Sequence, residues 1–295
     1  MTSPPPARLV VAFAGDPGSF AEDAAVTAFP GASTQAVPMF ADVAQAVTGG
    51  EARVGVLPIE NVVGGTVREV LDLLLASDVV IVGEVIVPVR LCLAALPGQA
   101  IEGIERVYSH IQALGQAEVF LRTRPWSLLA STNTAGSGRM IRERGERGSA
   151  AVLSPRAAEL FGLTILADDI QSEPRNRTRF LVIAAPGPDG ARAPVAGSVR
   201  GSAPRSTLAL SVRNEPGTLH GVLAVIASHG LNMSKLESRP SRQGTWEYVF
   251  WVDLDADICG APGEGERGAF LADLRAVCVW VRVMGCYARG AEPPG

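Results

Sequence analysis

The chain of 295 residues is long enough for about two domains. Hydrophobic residues make up 47% of it and charged residues 19%, so apolar surface is ample for one or two cores and a mostly disordered chain is excluded. The formal net charge of −4 disfavours a bulk polyanion such as DNA as a partner, although it does not exclude a local basic site.

We expect neither a secretion signal nor a membrane span. The N-terminal apolar run, residues 9–14, is short, follows three prolines and precedes Asp16, unlike a signal peptide. The longest apolar region, residues 79–96, is interrupted by charged residues and a proline. The four cysteines form no CxxC pair and no ligand-like pairing with the three histidines. We therefore interpret them as reduced thiols of a cytoplasmic protein without a metal site.

Strand and helix patterns alternate through the first 183 residues. The predicted strands cover residues 9–14, 54–58, 79–87, 90–96, 106–109, 150–153 and 179–183. The predicted helices cover residues 19–28, 40–48, 66–76, 111–123, 133–144 and 154–161. Alternation of this kind implies an α/β fold with a parallel-rich sheet, which binds ligands at the carboxyl ends of its strands.

A second folding unit follows a stretch of small residues. Residues 184–206 contain Pro, Gly, Ala and Ser with almost no large apolar side chain, which is typical of a linker. Strands are then predicted at 207–213, 233–238, 246–253 and 281–287, with helices at 219–228 and 270–278. This βαββαβ order is ferredoxin-like. We expect one domain over residues 8–185, a linker over 186–206 and a second domain over 207–289.

Polar side chains cluster where predicted strands meet helices. Ser19 begins a helix whose free N–H groups favour an anion, and it can either cap that helix or contact a ligand. Glu60 and Asn61 follow a buried strand, where Glu60 can orient a substrate or help to move a proton; the alternative is a solvated turn. Ser131, Asn133 and Thr134 lie at the start of another predicted helix. Their hydroxyl and amide groups can either cap that helix or bind a carboxylate of a ligand.

The segment from Ile170 to Phe180 is the most informative. A dense polar stretch enters an apolar strand, with Thr178 at the junction and Asn176 close by. Strand alternation places Thr178 and Phe180 on one side, and Arg177 and Arg179 on the other. A basic group near a hydroxyl suits an anionic substrate that loses water, whereas the alternative is a charged strand edge.

These motifs together resemble a known family. GDPGSF, PIENVVGGT, GEVIVPVRLCL, YSHIQAL, AAVLSPRAAELFGL and NRTRF occur in the order and spacing of prephenate dehydratases. The downstream NEPGTL and ESRP segments are similar to the ACT regulatory domain of that family, and the resemblance covers about residues 8–289. It implies a two-lobed, periplasmic-binding-protein-like catalytic domain around a cleft, followed by a ferredoxin-like ACT domain.

The resemblance also implies a reaction and its residues. The family removes carbon dioxide and water from prephenate to give phenylpyruvate in phenylalanine biosynthesis, and aromatisation makes a metal or organic cofactor unnecessary. The threonine of TRF is the family's essential catalytic residue and corresponds to Thr178. We assign Glu60 and Asn61 to catalysis beside it. The expected substrate-binding residues are Ser19, Ser131, Asn133, Thr134, Asn176, Arg179 and Phe180.

The ACT resemblance implies feedback by phenylalanine, bound between the subunits of a homodimer or homotetramer. The expected effector-binding residues are Asn214, Gly217, Thr218, Leu219 and Asn232, with residues 237–240 shaping the neighbouring strand. Thr218 replaces a smaller alanine of the family signature, which narrows the expected pocket. Arg90 and Ile111 also depart from the family pattern, which carries His and Pro there. Alternatives are an arogenate dehydratase, a prephenate decarboxylase and a non-catalytic amino-acid sensor.

Overall fold

A computed structural model of the chain describes residues 9–187, 203–241, 247–259 and 265–292; of residues 265–267 it describes the backbone alone. Within these ranges the strands are β1 (Val10–Ala14), β2 (Ser33–Val37), β3 (Val54–Asn61), β4 (Gly65–Thr66), β5 (Val80–Pro88), β6 (Cys92–Ala95), β7 (Arg106–Ser109), β8 (Ser127–Ala130), β9 (Ser149–Leu153), β10 (Thr164–Ala167), β11 (Arg177–Ala184), β12 (Pro204–Ser211), β13 (Met233–Pro240), β14 (Tyr248–Leu254) and β15 (Trp280–Ala288).

The helices are α1 (Phe20–Ala28), α2 (Phe40–Thr48), α3 (Arg68–Ala76), α4 (Ile111–Gln116), α5 (Glu118–Leu121), α6 (Thr134–Arg144), α7 (Pro155–Leu160), α8 (Thr218–Ser228) and α9 (Gly265–Val277), with a short 3-10 helix at Ile101–Gly103. Over the described part of the chain, none of them combines the length and apolar character that a membrane crossing requires.

The first sheet has the strand order β2-β1-β3-β11-β5, with β4 paired to β3. β1 runs parallel to β2 and β3, and helices α1 and α2 pack against these strands. Val11, Phe13, Val54 and Val56 are buried, since the middle of a parallel sheet is covered on both faces. The carboxyl end of β1 therefore opens onto the loop that carries GDPGSF, whereas PIEN forms the carboxyl end of β3 itself.

The second sheet has the order β10-β6-β9-β7-β8. β7 runs parallel to β8 and β9, whereas β6 is antiparallel to β9 and β10. All five residues of β9 are buried, and α6 packs directly on it. Gly138 permits this approach, because a Cβ atom there would lie 2.5 Å from the Leu153 side chain. The two sheets are the two expected α/β lobes.

The third sheet has the order β13-β14-β12-β15, and its strands are antiparallel. Helices α8 and α9 pack over a core that includes Leu208, Val222, Phe270 and Leu274. The expected ferredoxin-like order is confirmed.

The chain divides into two compact units: Met1–Leu74, Val85–Leu181 and Glu292–Gly295 form the first, and Leu75–Glu84 with Val182–Ala291 form the second. The sequence predicts an uninterrupted first domain over residues 8–185, so the grouping of residues 75–84 and 182–184 with the C-terminal strands differs from it. β12 begins at Pro204, inside the predicted linker 186–206, whose residues 188–202 lie outside the described ranges.

Specific contacts hold residues 75–84 within the second unit. Arg282 donates hydrogen bonds to the carbonyl oxygens of Leu75 and Ser77, at 2.9 and 3.0 Å. β15 passes so close to the first part of β5 that a Cβ atom on Gly285 would lie 2.1 Å from the Ile81 carbonyl oxygen. Only glycine fits at this crossing.

A buried ion pair reinforces the same unit. Glu84 has no exposed surface, and both of its carboxylate oxygens lie within 3.1 Å of the Arg205 Nη1 atom. The backbone N–H of Gly290 donates to Glu84 Oε1 at 2.9 Å. A buried carboxylate is tolerated only with such partners, since an unpaired one is strongly destabilising.

The cysteines correct one expectation. Cys259 and Cys286 form a disulfide with their Cα atoms 6.0 Å apart, so the interpretation of all four cysteines as reduced thiols is wrong for this pair. The two residues are 27 positions apart and meet only through the fold, which no spacing rule reveals. Cys92 is a buried free thiol and Cys278 a half-buried one. The cytoplasmic setting stays a prediction.

Candidate active site

A cavity of about 780 Å³ lies between the two lobes of the first unit. Ser19, Asn61 and Thr178 line it from the side of the first sheet, and Gln112 and Asn133 from the side of the second. The position agrees with the expectation for α/β sheets, because the loops after β1 and β3 leave the carboxyl ends of their strands.

Thr178 lines this cavity from β11, and its hydroxyl is held by Asn61. Asn61 Nδ2 donates a hydrogen bond to Thr178 Oγ1 at 2.9 Å. Thr178 is 9% exposed and Phe180 3%, and both line the cavity, so the predicted alternation along β11 is confirmed. Because Oγ1 accepts from Asn61, the hydroxyl proton is available for a hydrogen bond toward the cavity.

Backbone groups determine which end of the Asn61 amide is the oxygen and which is the nitrogen. Its Oδ1 atom accepts from the N–H groups of Val63 and Gly64, at 3.0 and 2.7 Å, in the turn between β3 and β4. Backbone N–H groups can only donate, so the oxygen must face them and Nδ2 must face Thr178.

The N-terminus of α6 forms another part of the wall. Asn133 caps the helix by accepting from the Gly136 N–H, and Thr132, Thr134 and Ala135 line the cavity. The first N–H groups of a helix have no partner within it, which makes this end suited to a carboxylate. Gly136 is required here, because a Cβ atom would lie 2.7 Å from Asn133 Oδ1.

Asp16 bridges the lobes beside this helix end. Its carboxylate lies 2.8 Å from Arg139 Nη2 and accepts a hydrogen bond from Asn133 Nδ2. The Arg139 guanidinium is thereby paired. Among the described residues that line the cavity, the ionisable side chains are Asp16, Glu69 and His110, and neither Arg nor Lys is present.

The predicted helix start at Ser19 is largely occupied by internal contacts. Ser19 accepts from the Glu22 N–H at 3.4 Å, and the Gly18 N–H donates to Glu22 Oε2 at 2.7 Å. Ser154 donates to the Gly18 carbonyl oxygen at 2.9 Å. Ser19 therefore caps α1, as one of the two predicted roles, and also lines the cavity.

Four predicted site residues do not line the cavity. Glu60 and Arg179 form an ion pair with each other at 3.5 Å, because they extend from the opposite face of neighbouring strands. Ser131 bonds to Ser137 and to the Asn133 carbonyl oxygen, and so acts within the helix cap. The fourth, Asn176, is 2% exposed and lies behind Asn61, at 2.9 Å. In this geometry Arg179 therefore does not reach the cavity to contact a substrate directly.

The sequence reasoning missed several residues that line the cavity. His110 caps α4, its Nδ1 atom accepting from the Gln112 N–H at 3.3 Å, so the ring carries its proton on Nε2. His110 and Gln112 belong to YSHIQAL, one of the motifs that carry the family resemblance, and that motif could have identified them as site residues. Apolar walls come from Phe20 and Phe40.

The predicted effector residues lie in the second unit. Gly217 is the N-cap of α8, with a φ of 86°; Thr218 and Leu219 follow it in the helix, and Asn214 precedes it in the chain. Asn232 follows the other end of this 11-residue helix, about 16 Å away. Asn232 Nδ2 donates to Asp255 at 2.7 Å. Burial alone would raise the pKa of Asp255, but this bond, one from Ser234 and nearby arginines hold it below its ordinary value.

One group of metal-ligand types occurs among the described residues: Asp257, Cys259 and Cys286. The two sulfurs are bonded to each other, so this donor set does not suit a metal ion.

The fold and cavity define a two-lobed α/β protein with a cleft between its lobes and a C-terminal ferredoxin-like domain. The family model described as prephenate dehydratase matches residues 11–188, and the ACT domain model matches residues 206–258. The chain therefore belongs to the prephenate dehydratase family, which is a lyase family, and it carries an ACT domain.

Individual relatives agree with this membership. The chain is 34% identical to arogenate dehydratase/prephenate dehydratase 1 of Arabidopsis thaliana, over 95% of this chain and 72% of that protein. The prephenate dehydratase of Arthrobacter aurescens, solved in complex with L-Phe, superposes with a TM-score of 0.81 at 29% identity, over 97% of this chain and 92% of that one. A structure described as a novel type of quorum-quenching acylase, GqqA, has a TM-score of 0.82 at 30% identity, over 95% and 98%.

Proposed function

We propose that this protein is a prephenate dehydratase of phenylalanine biosynthesis. The observation that carries the proposal is the Thr178 hydroxyl, which lines the cavity while Asn61 donates to its oxygen. In the reaction, the bond between the ring and its carboxylate breaks and releases CO2, and its electron pair enters the ring. The ring hydroxyl leaves with its own electron pair and takes up a proton to become water.

Thr178 assists the departing oxygen in this scheme. A hydrogen bond from Oγ1 stabilises the negative charge that develops there, and the bond from Asn61 strengthens Thr178 as a donor. Threonine is a weak acid, so the proton reaches the leaving group either through a relay or from water while Thr178 supplies the hydrogen bond. Because loss of CO2 and hydroxide makes the ring aromatic, this step is expected to need no metal or organic cofactor.

The two carboxylates of the substrate require separate anion sites. The N-terminus of α6 at Thr134 and Ala135 is one, supported by its free N–H groups and its place on the cavity wall. The Nε2–H of His110 and the Gln112 amide supply donors for the other. Dipoles and neutral donors replace the arginine that the sequence predicts at Arg179.

The test is a parallel incubation of the purified protein with prephenate and with arogenate, followed by product identification. Phenylpyruvate from prephenate at the higher kcat/KM supports the proposal. Phenylalanine formed preferentially from arogenate indicates an arogenate dehydratase. A non-aromatic product that keeps the hydroxyl indicates a decarboxylase. Tight phenylalanine binding without CO2 release indicates a sensor.

The similarity to GqqA favours amide hydrolysis as a second candidate. The cavity offers hydroxyl groups and the imidazole of His110, which are groups that acyl transfer uses. Incubation with N-acyl amides of several chain lengths tests this activity. Release of the free amine, without any conversion of prephenate or arogenate, would replace the dehydratase proposal.

We further propose that phenylalanine inhibits through an ACT site shared by two chains. Gly217 and Asn232 lie at opposite ends of α8, so one chain alone does not form a pocket from both. A second copy would supply the missing half, which implies a homodimer or a homotetramer. Light scattering and activity with and without about millimolar phenylalanine test this; no change in either would refute it.

A further inference from the structure

We propose that Asn176 is a positioning residue for the dehydration, which rests on the function proposed above. It fixes the side-chain amide of Asn61, and through it the Thr178 hydroxyl, without contacting the substrate. The inference departs from the sequence-based assignment of Asn176 to substrate binding.

Asn176 is anchored where β11 begins. Its backbone N–H donates to the Glu173 carbonyl oxygen at 3.1 Å, and its own carbonyl oxygen accepts from the Val89 N–H at 2.8 Å. The residue is 2% exposed and is not among those lining the cavity. Its side-chain oxygen lies 2.9 Å from Asn61 Nδ2. Asn176 therefore touches the group that holds Thr178, but not the space that holds the substrate.

Because of the planar geometry of a primary amide, the contact with Asn176 also sets the direction of the Asn61 N–H bond toward Thr178. Both N–H bonds of Asn61 Nδ2 lie in the amide plane, so a proton anchored on one side sets the direction of the other. Three acceptors surround these two protons: the Asn176 Oδ1 atom, the Arg177 carbonyl oxygen at 3.1 Å and Thr178 Oγ1. Loss of the Asn176 oxygen lets the amide turn toward Arg177 and weakens its bond to Thr178.

The nitrogen of the Asn176 side-chain amide indicates that this residue serves function and not stability. Because Asn61 Nδ2 must donate, Asn176 must present its oxygen, which leaves its Nδ2 atom buried and without a hydrogen-bond partner in the described structure. An unsatisfied buried donor is destabilising, so stability alone would not favour an asparagine at this position. The oxygen facing Asn61 is the property that the residue contributes.

A double-mutant cycle tests the proposal, using Asn61→Ala, Asn176→Ala and the double variant. We expect Asn176→Ala to lower kcat by roughly 10- to 100-fold with KM nearly unchanged, because substrate contacts remain. In the Asn61→Ala background the second substitution should have almost no further effect, since its target is gone. Effects on kcat that multiply, or a raised KM with normal kcat, would overturn the proposal.

Two further variants separate positioning from a general loss of structure. Ser149→Ala removes another buried side-chain hydrogen bond, to Glu146, away from the cavity, and should leave kcat unchanged. Asn176→Asp keeps an oxygen toward Asn61 and should recover at least about tenfold of the lost kcat, with a pH dependence that the wild type lacks. If Asn176→Ala does not fold, the aspartate variant and Asn176→Ser carry the cycle instead. An Asn176→Asp variant without recovery at any pH would also contradict the proposal.

The wild-type control distinguishes a failure of the proposed function from a failure of the positioning role. A wild-type protein that converts neither prephenate nor arogenate refutes the proposed function together with this inference. An active wild type with additive variants refutes the positioning role alone.

Discussion

Asn61 Nδ2 lies 2.9 Å from Thr178 Oγ1, although 117 residues separate the two in the chain. One comes from the end of β3 and the other from the start of β11, which are neighbouring strands of the first sheet. The pairing of these two strands, rather than any local motif, therefore brings the Asn61 amide to the Thr178 hydroxyl.

Substitution of Thr178 should reduce turnover without unfolding the protein. We expect Thr178→Ala to lower kcat by about 10²–10⁴-fold, because the hydrogen bond to the leaving oxygen is lost. Thr178→Ser keeps the hydroxyl and should lose much less. Steady-state kinetics with prephenate measure both variants, and circular dichroism verifies their fold. A Thr178→Ala variant with nearly normal turnover would remove Thr178 from the mechanism.

The buried pair of Glu84 and Arg205 should contribute strongly to stability only as a pair. Replacing Glu84 with Ala leaves the Arg205 guanidinium buried without this partner and should lower the free energy of unfolding by about 3–5 kcal/mol. The double variant Glu84→Leu/Arg205→Met removes both charges and should lose less than the single variant. Urea denaturation measures each value; equal losses for the single and double variants would contradict this account.

Glu146 should make stability fall at acid pH. Burial alone would raise its pKa, but hydrogen bonds from Ser149 and Tyr108 and two nearby arginines outweigh it, so its pKa is below the ordinary 4.5. The unfolded chain therefore takes up this proton at a higher pH than the folded protein. The stabilisation is present above about pH 4.5 and is lost as the pH falls through the folded-state pKa.

Melting temperatures between about pH 3 and pH 7 measure this effect. Glu146→Gln should flatten the acid decline, whereas Glu159→Gln, at an exposed position on α7, serves as the matched control. An unchanged acid limb in Glu146→Gln would show that other groups cause the decline.

Thiol labelling should distinguish the cysteines. Burial raises the pKa of Cys92 to about 12 and that of Cys278 to about 11, so both should react slowly with iodoacetamide in the folded protein. After unfolding without reductant these two should react, and with reductant all four. Mass spectrometry counts the labels; four labels without reductant would show that Cys259 and Cys286 are unpaired.

Reduction of this disulfide should also lower stability. A loop of this length closed by a disulfide contributes about 3–4 kcal/mol through chain entropy.

The sequence predicts the buried elements well and the sheet edges poorly. After Ser149, β9 is apolar, as is the inner part of β11, so the existence of both strands follows from composition. β2, β8 and β10 lie at sheet edges and expose much of their length, and the apolar runs within them are no longer than three residues, which is too short to predict a strand. The predicted helix 111–123 divides at Ala117 into α4 and α5, following Gly115, a weak helix former.

The candidate site shows the same division. Thr178, Phe180 and Asn61 were predictable, because strand alternation and motif position fix which way they face. The pairing of Glu60 with Arg179 depends on which strands are neighbours, and single-sequence patterns do not determine strand order. His110 and Gln112 reach the cavity from the second lobe, through a contact between segments that are far apart in sequence.

Glu84 also bears on how regulation in this protein should be studied. A shortened chain that ends before residue 205 would retain β5 but lack the guanidinium and the Gly290 N–H that its carboxylate contacts. Lost activity in such a deletion would then report damage to the first sheet, which contains β5, and not the absence of feedback. Point substitutions in the full-length chain are the sounder way to abolish the response to an amino acid.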